Sequence, residues 1–182
     1  MSLTTLVTFV EVFSVNEDNV RDSKYFLQNA KRGEFDEMKL AGETNDPQIN
    51  IENKVAKNSI RFDSGTVSGR GLQTYYYLPF IYQGTTINRS GDNIESNLIM
   101  GNHPLSMAKA QQAVLNRYFV EVNVCIVANN DIDNVKRVLT TDTWLAASLS
   151  YDPEVVEVLL SSAVDAVGVN VPNIVLTSEA VG

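Results

Sequence analysis

Three glutamates, Glu11, Glu121 and Glu157, each occur singly within a stretch of apolar and β-branched residues. Two carboxylates that flank one cleft are what most glycosidases use, one as the acid and the other as the base or nucleophile. The spacing along the chain pairs none of the three, so any pairing is left to the fold. Isolated polar residues of a strand usually face solvent. We therefore predict solvent-facing carboxylates, and a small hydrolase is the least favoured function.

One histidine and one cysteine are the remaining candidates for acid–base or nucleophilic chemistry. His103 precedes Pro104 at a predicted junction of loop and helix, which favours a surface or capping role over that of a general base. Cys125 lies in an apolar strand, where a thiol behaves as a small apolar group and its thiolate is disfavoured. The sequence has no phosphate loop, nucleophile elbow or zinc-binding pair. We predict no enzymatic activity, no metal and no cofactor.

A short glycine-rich segment, residues 68–71, follows the Ser64-Gly65 pair. It is too short for a dinucleotide fingerprint, and no helix signal comes after it. The segment therefore predicts a flexible loop.

A tyrosine run comprises Tyr75, Tyr76 and Tyr77, with Tyr82 a few residues further on. Such side chains stack on sugar rings, anchor subunit interfaces or fill a core. Because alternate side chains of a strand point to opposite faces, Tyr75 and Tyr77 should share one face and Tyr76 should take the other. At least one tyrosine is expected to be exposed or at an interface.

Stretches rich in β-branched and aromatic residues dominate the chain and predict strands. These strands are predicted over residues 3–15, 23–29, 75–82, 85–89, 94–100, 119–127, 135–150, 155–161 and 174–177, with a short helix as the alternative for 23–29. One helix is predicted over 104–118, with Pro104 in its first turn and apolar residues near helical spacing at Leu105, Ala108, Val114 and Leu115.

Residues 30–58 are polar and aperiodic and predict a long loop or arm. An ordered arm would embrace a neighbouring subunit, and a solvated surface insertion is the equally weighted alternative. The whole pattern predicts one mainly β domain over 1–182. We expect a small barrel or sandwich of short antiparallel strands, with one packed α-helix and the arm.

Bulk composition excludes several classes of protein. The 182 residues carry a formal charge of −8, and a nucleic-acid reader normally presents a basic face, so sequence-specific DNA or RNA binding is not expected. No apolar run approaches the ~20 residues that span a bilayer, and the amino terminus lacks the basic segment of a signal peptide. A single cysteine forms no internal disulfide, which fits assembly in a reducing cytoplasm.

Six segments, read in order, resemble the amino-terminal domain of the lambda-type minor tail protein L family and related tail-tip hub proteins of long-tailed phages. They are VTFVEV (7–12), KYFL (24–27), YLPFIYQG (77–84), SNLIMGN (96–102), RYFVEV (117–122) and WLAASL (144–149). Residues 158–165 and 170–177 resemble the closing strand, acidic turn and proline-containing end of that domain. The family's further cysteine-rich region holds an iron–sulfur cluster, and with Cys125 alone no cluster is implied here.

The resemblance implies a structural virion protein, assembled in the host cytoplasm, that adapts the tail tube or distal tail ring to the central hub. It implies other tail proteins as partners and a homo-oligomeric ring, a trimer or alternatively a hexamer. A carbohydrate- or receptor-binding module of the virion is the competing interpretation. The contact surfaces expected are the arm, the helix and the tyrosine strand, with Tyr75, Tyr76, Tyr77, Tyr82, Phe35, Met38, Arg89 and Arg117 as interface residues.

Overall fold

A computed structural model describes residues 4–30, 59–84, 86–87, 94–128 and 131–162. Ten strands and one helix lie in these ranges. The strands are β1 (Thr4–Val15), β2 (Arg21–Gln28), β3 (Ile60–Phe62), β4 (Gln73–Tyr77), β5 (Phe80–Tyr82), β6 (Thr86–Ile87), β7 (Ile94–Gly101), β8 (Phe119–Ala128), β9 (Asp131–Tyr151) and β10 (Val155–Ser162). The helix, α1, is Pro104–Leu115. The predicted strand at 174–177 and the arm from residue 31 onward, including Phe35 and Met38, lie outside the described residues, as does Arg89.

The described strands form one mixed sheet in the order β3-β4-β2-β1-β8-β9-β10-β7-β5, and β6 pairs with β7 off this path. Every pairing is antiparallel except that of β2 with β4, which is parallel over Leu27↔Tyr76 and Gln28↔Tyr77. The mainly β prediction with one helix is confirmed. The sheet fits the sandwich alternative, because no ladder among these strands closes it into a barrel.

Two expectations about the strands are corrected. The strands are not uniformly short, since β9 runs for 21 residues. The predicted strand 75–82 is two strands, because Pro79 carries no N–H donor and interrupts the ladder. The two pieces lie towards opposite ends of the strand order. β4 is second from one end, between β3 and β2, and β5 is last at the other end, beside β7. Leu78 N–H donates to the Gln28 carbonyl at 2.9 Å, which holds the crossing segment against β2.

The helix α1 begins as predicted and ends three residues early. Pro104 occupies the first turn, and the preceding His103 caps it, with Nδ1 accepting the Leu105 N–H at 3.2 Å. The capping role predicted for His103 is therefore confirmed. The helix ends at Leu115 because Arg117 adopts the left-handed conformation at φ 50°. Its buried face is Ser106, Ala110 and Ala113.

The apolar spacing indicated the buried helical face only in part: Leu105 and Val114 pack against the core, but the other two residues do not. Leu115 is 81% exposed and Ala108 is exposed as well. Small residues at i, i+4 and i+7 bring the helix close to the sheet. This packing covers a core that includes Val10, Val122, Trp144 and Leu160. The opposite face of β1 and β8 carries a second cluster, in which Phe9, Phe62 and Tyr75 pack together.

Candidate functional site

Glu11 and Glu121 lie directly opposite each other on β1 and β8, and both point to the second face of the sheet. Their side chains are 0% and 1% exposed. The prediction that they are solvent-facing is wrong, because β3 and the loop from Asp63 to Leu72 cover this face. Two like charges directly opposite on neighbouring strands repel each other, so the pair needs counter-charge.

Arg21 supplies the first counter-charge from β2. Its Nη1 lies 3.0 Å from Glu11 Oε2 and 2.8 Å from Glu121 Oε2, so one nitrogen bridges both carboxylates. The guanidinium also stacks over the Phe13 ring at 3.8 Å. A β-bulge between Val12 and Phe13 shifts the β1–β2 register next to this contact.

Arg70 supplies the second counter-charge from the glycine-rich loop. Its Nη1 and Nη2 donate to the two oxygens of Glu11 at 2.5 and 2.9 Å, a bidentate geometry that is among the stronger forms of ion pair. Gly69 and Gly71, on either side of Arg70, have φ of 75° and 70°, which glycine adopts without strain. The loop predicted to be flexible therefore places a guanidinium on a buried carboxylate.

Neutral donors complete the cluster. Ser23 Oγ donates to Glu11 Oε1 at 2.5 Å. Glu121 Oε1 accepts from Thr66 Oγ1 at 2.9 Å and from Asn123 Nδ2 at 3.0 Å. We call Glu11, Glu121, Arg21 and Arg70, with these donors, the carboxylate–arginine cluster. The formal charges of its two acidic and two basic side chains cancel.

The surroundings of Glu11 favour its ionised form. Burial by itself raises the pKa of Glu11, but the hydrogen bonds from Arg70 and Ser23 and the charges of Arg70 and Arg21 outweigh it, so the pKa lies below its usual value. Burial likewise lowers the pKa of Arg70, and its hydrogen bond and ion pair with Glu11 raise it above the ordinary value. A general acid or base needs a pKa near the working pH and access to substrate. Glu11 has neither.

The four predicted tyrosines have different surroundings. Tyr75 is 0% exposed and packs edge-on against Phe9 and Phe26 at 5.1 Å, so it has no surface to offer a partner. Tyr76 is 44% exposed. Tyr77 is half-buried at the end of β4. Tyr82 is half-buried, and its hydroxyl accepts from Trp144 Nε1 at 3.0 Å. The expectation of at least one exposed tyrosine is confirmed by Tyr76.

The other predicted residues do not join the cluster. Arg117 is exposed just past the end of α1, and Glu157 lies on β10, where Ser150 Oγ contacts its Oε2 at 3.4 Å. Cys125 is completely buried, and burial raises the pKa of its thiol to about 12. Within the described ranges no group of three or more His, Cys, Asp or Glu side chains is placed to hold a metal ion.

Sequence reasoning missed Arg21 and Arg70 as partners of the carboxylates. The available signal was local, since Arg70 is the one charged residue within a run of glycine and serine. The interior offers little room for a ligand, because the cavity between α1 and the sheet, lined by Val12 and Ala110 among others, is about 20 Å³. A cavity of this size holds about one water molecule and nothing larger.

No protein-family model matches the chain, and a search of curated proteins returns no match. Among the described helical residues, no stretch has the length and apolar character needed to cross a membrane.

Proposed function

We propose that this chain is a non-enzymatic structural protein of a phage tail tip or baseplate, which joins the tail tube or distal tail ring to the central hub. The location in a phage tail, between the tube or distal ring and the hub, comes from the family resemblance of the sequence. The general role, assembly without catalysis, is supported by two features of the fold. One is the carboxylate–arginine cluster, in which both glutamates are buried and paired with arginine.

The second feature, which carries the proposal, is an apolar stretch of the sheet that has no pairing strand on one side among the described residues. Within the described residues the pairing of β9 with β10 ends at Trp144, so residues 131–143 of β9 pair with β8 alone. At this end Leu6 is 62% exposed, and Val138 and Leu139 are 38% and 43% exposed. Unpaired strand edges with apolar side chains promote aggregation unless they are covered, and another chain is one way to cover them. Coverage by neighbouring subunits of a ring satisfies this requirement.

Localisation of the chain in phage particles tests the proposed position at the tail tip. An antibody raised against the purified chain is applied to phage particles induced from the source cells, and gold label is counted by electron microscopy along the particle. The proposal expects label at the tail end and the chain in purified particles. A chain found only in the particle-free lysate contradicts it.

A carbohydrate-binding module is the second candidate, and one observation favours it. Tyr76 is the most exposed of the four predicted tyrosines, and an exposed aromatic ring is a stacking surface for sugars. Tyr75 is unavailable for such a platform because it is buried. A glycan array that gives specific signals, lost in Tyr76→Ala and kept in Tyr151→Ala, would favour this candidate. Tyr151 is the matched control because it is 66% exposed and lies on another strand.

A further inference from the structure

A shallow groove lies along β5, the last strand in the order of the sheet. It has a volume of about 350 Å³, and its lining includes Asn29 and the buried residues Phe80 and Met100. Pro79, Ile81, Ile99 and Val155 also line it. Ile81 is 63% exposed. The groove therefore presents aliphatic surface to solvent.

Among the described residues, the main chain of β5 meets only a side chain on the side away from β7. Gln83 N–H donates to the Asn97 carbonyl at 3.0 Å, which fixes the alternation of the antiparallel ladder. By that alternation the N–H and C=O groups of Ile81 point to β7, and those of Phe80 and Tyr82 point away from it. The side chain of Asn29 confirms this direction, because its Nδ2 lies 3.4 Å from the Phe80 carbonyl. Among the described residues the main chain of Tyr82 has no partner on the side away from β7.

The surroundings of the groove are acidic. The register places Ile81 opposite Ile99 and Ile99 opposite Glu157, so these three side chains share one face. Glu154 precedes Val155 in the chain, and Asp152 is in the same turn. In contrast, β5, β7, β10 and residues 152–154 contain no Lys, Arg or His. An acidic rim around an apolar centre favours a partner with the opposite charge.

We infer that the β5 groove binds an extended segment of a partner protein, which adds as a short strand to β5, places an aliphatic side chain in the groove and carries Lys or Arg at its flanks. Strand addition of this kind draws affinity from main-chain hydrogen bonds and specificity from the side-chain pocket. The inference deepens the proposed function, since it states the chemistry of an assembly partner.

A peptide titration tests the groove directly. The probe is acetyl-Lys-Ile-Thr-Ile-Thr-Ile-Lys-amide, added to the ¹⁵N-labelled full chain and followed by amide chemical shifts. We expect the shifts to concentrate at residues 80–82, 97–101 and 155. Ile81→Lys should weaken binding at least tenfold by adding charge to the apolar wall. Leu115→Lys is the matched control, because Leu115 is an exposed aliphatic residue on α1, and it should bind as the unaltered chain does.

Two altered probes separate the components of the interaction. A probe with Glu in place of both Lys residues should bind at least tenfold more weakly, and so should a probe whose central residues are N-methylated and donate no hydrogen bond. Shifts elsewhere, equal binding of either altered probe, or an unchanged affinity in a folded Ile81→Lys variant would overturn the inference. The tail-localisation experiment does not depend on this groove, so failure of one is distinguishable from failure of the other.

Discussion

Glu11 and Glu121 face each other across the β1–β8 ladder, and a single nitrogen of Arg21 contacts both carboxylates. Direct opposition of two buried acids would be unfavourable by itself. Arg70 also pairs with Glu11, so the two glutamates and two arginines form a cluster with no net formal charge. This cluster connects β1, β2, β8 and the loop before β4. The cluster thus links strands with the segment that covers them.

Loss of Arg70 should be strongly destabilising. Arg70→Met leaves Glu11 with a single guanidinium partner in a buried setting, and breaking a buried pair in this way costs about 3 kcal/mol or more. Urea unfolding followed by circular dichroism measures the change. Arg61→Met is the control, since Arg61 is exposed on β3, and it should change the free energy of unfolding by less than about 0.5 kcal/mol. Equal effects of the two variants would show that the ion pair is not stabilising.

The same pair should be energetically coupled. If Glu11→Gln and Arg70→Met each remove one interaction, the double variant should lose less stability than the two single variants together, because neither residue is left as an unpaired buried charge. A double-mutant cycle from the same urea curves gives the coupling free energy. Additive losses would contradict direct pairing.

Stability should fall in acid through Glu11. Its pKa in the folded chain lies below the unfolded value, so its contribution is fully present above the unfolded pKa and is lost as the pH falls through the folded pKa. Each unit of pKa lowering corresponds to about 1.4 kcal/mol. Urea midpoints measured from pH 7 down to pH 3 should fall less steeply in Glu11→Gln than in the unaltered chain. Glu17→Gln, at an exposed position, should follow the unaltered curve, and identical slopes in all three would contradict the assignment.

Cys125 should be unreactive in the native chain. The thiol is completely buried, and its pKa of about 12 leaves little thiolate at neutral pH. A disulfide reagent such as Ellman's should therefore react with it only after denaturant is added. An exposed thiol introduced by Leu115→Cys in a Cys125→Ala background gives the reference rate. Prompt reaction of one equivalent in the native chain would show that the strand is open to solvent.

Two neighbouring tyrosines should differ sharply in their effect on stability. Tyr75→Ala removes a ring from the aromatic cluster and should cost about 3–5 kcal/mol. Tyr76→Ala affects a half-exposed side chain and should cost far less, about 0.5–1 kcal/mol. Thermal or urea unfolding of both variants provides the comparison, and similar losses would contradict the packing described.

The sequence predicted the helix and most of the strands, but neither the short strand β3 nor the carboxylate–arginine cluster. Strand propensity is a local property, which is why β1 and β8 appear where they were expected. The burial of Glu11 depends on Arg70, which lies 59 residues away. A local sequence pattern cannot predict a contact between residues that far apart in the chain.

The prediction of the buried face of α1 was partly wrong for a related reason. Apolar spacing pointed to Leu115, yet the sheet accepts small residues at close range, so Ala110 and Ala113 are buried in its place. The tyrosine strand divided at Pro79 because the missing donor breaks a ladder at that residue. That β4 and β5 then join opposite ends of the sheet follows from topology, which propensity does not encode.

Native mass spectrometry tests the central claim, that this chain is a structural component of a larger assembly. The purified chain is measured alone and after co-expression with the products of the genes that flank its own. We predict a closed homo-oligomer, or a complex of fixed stoichiometry that forms only with those partners. A chain that stays monomeric in both cases would contradict the claim.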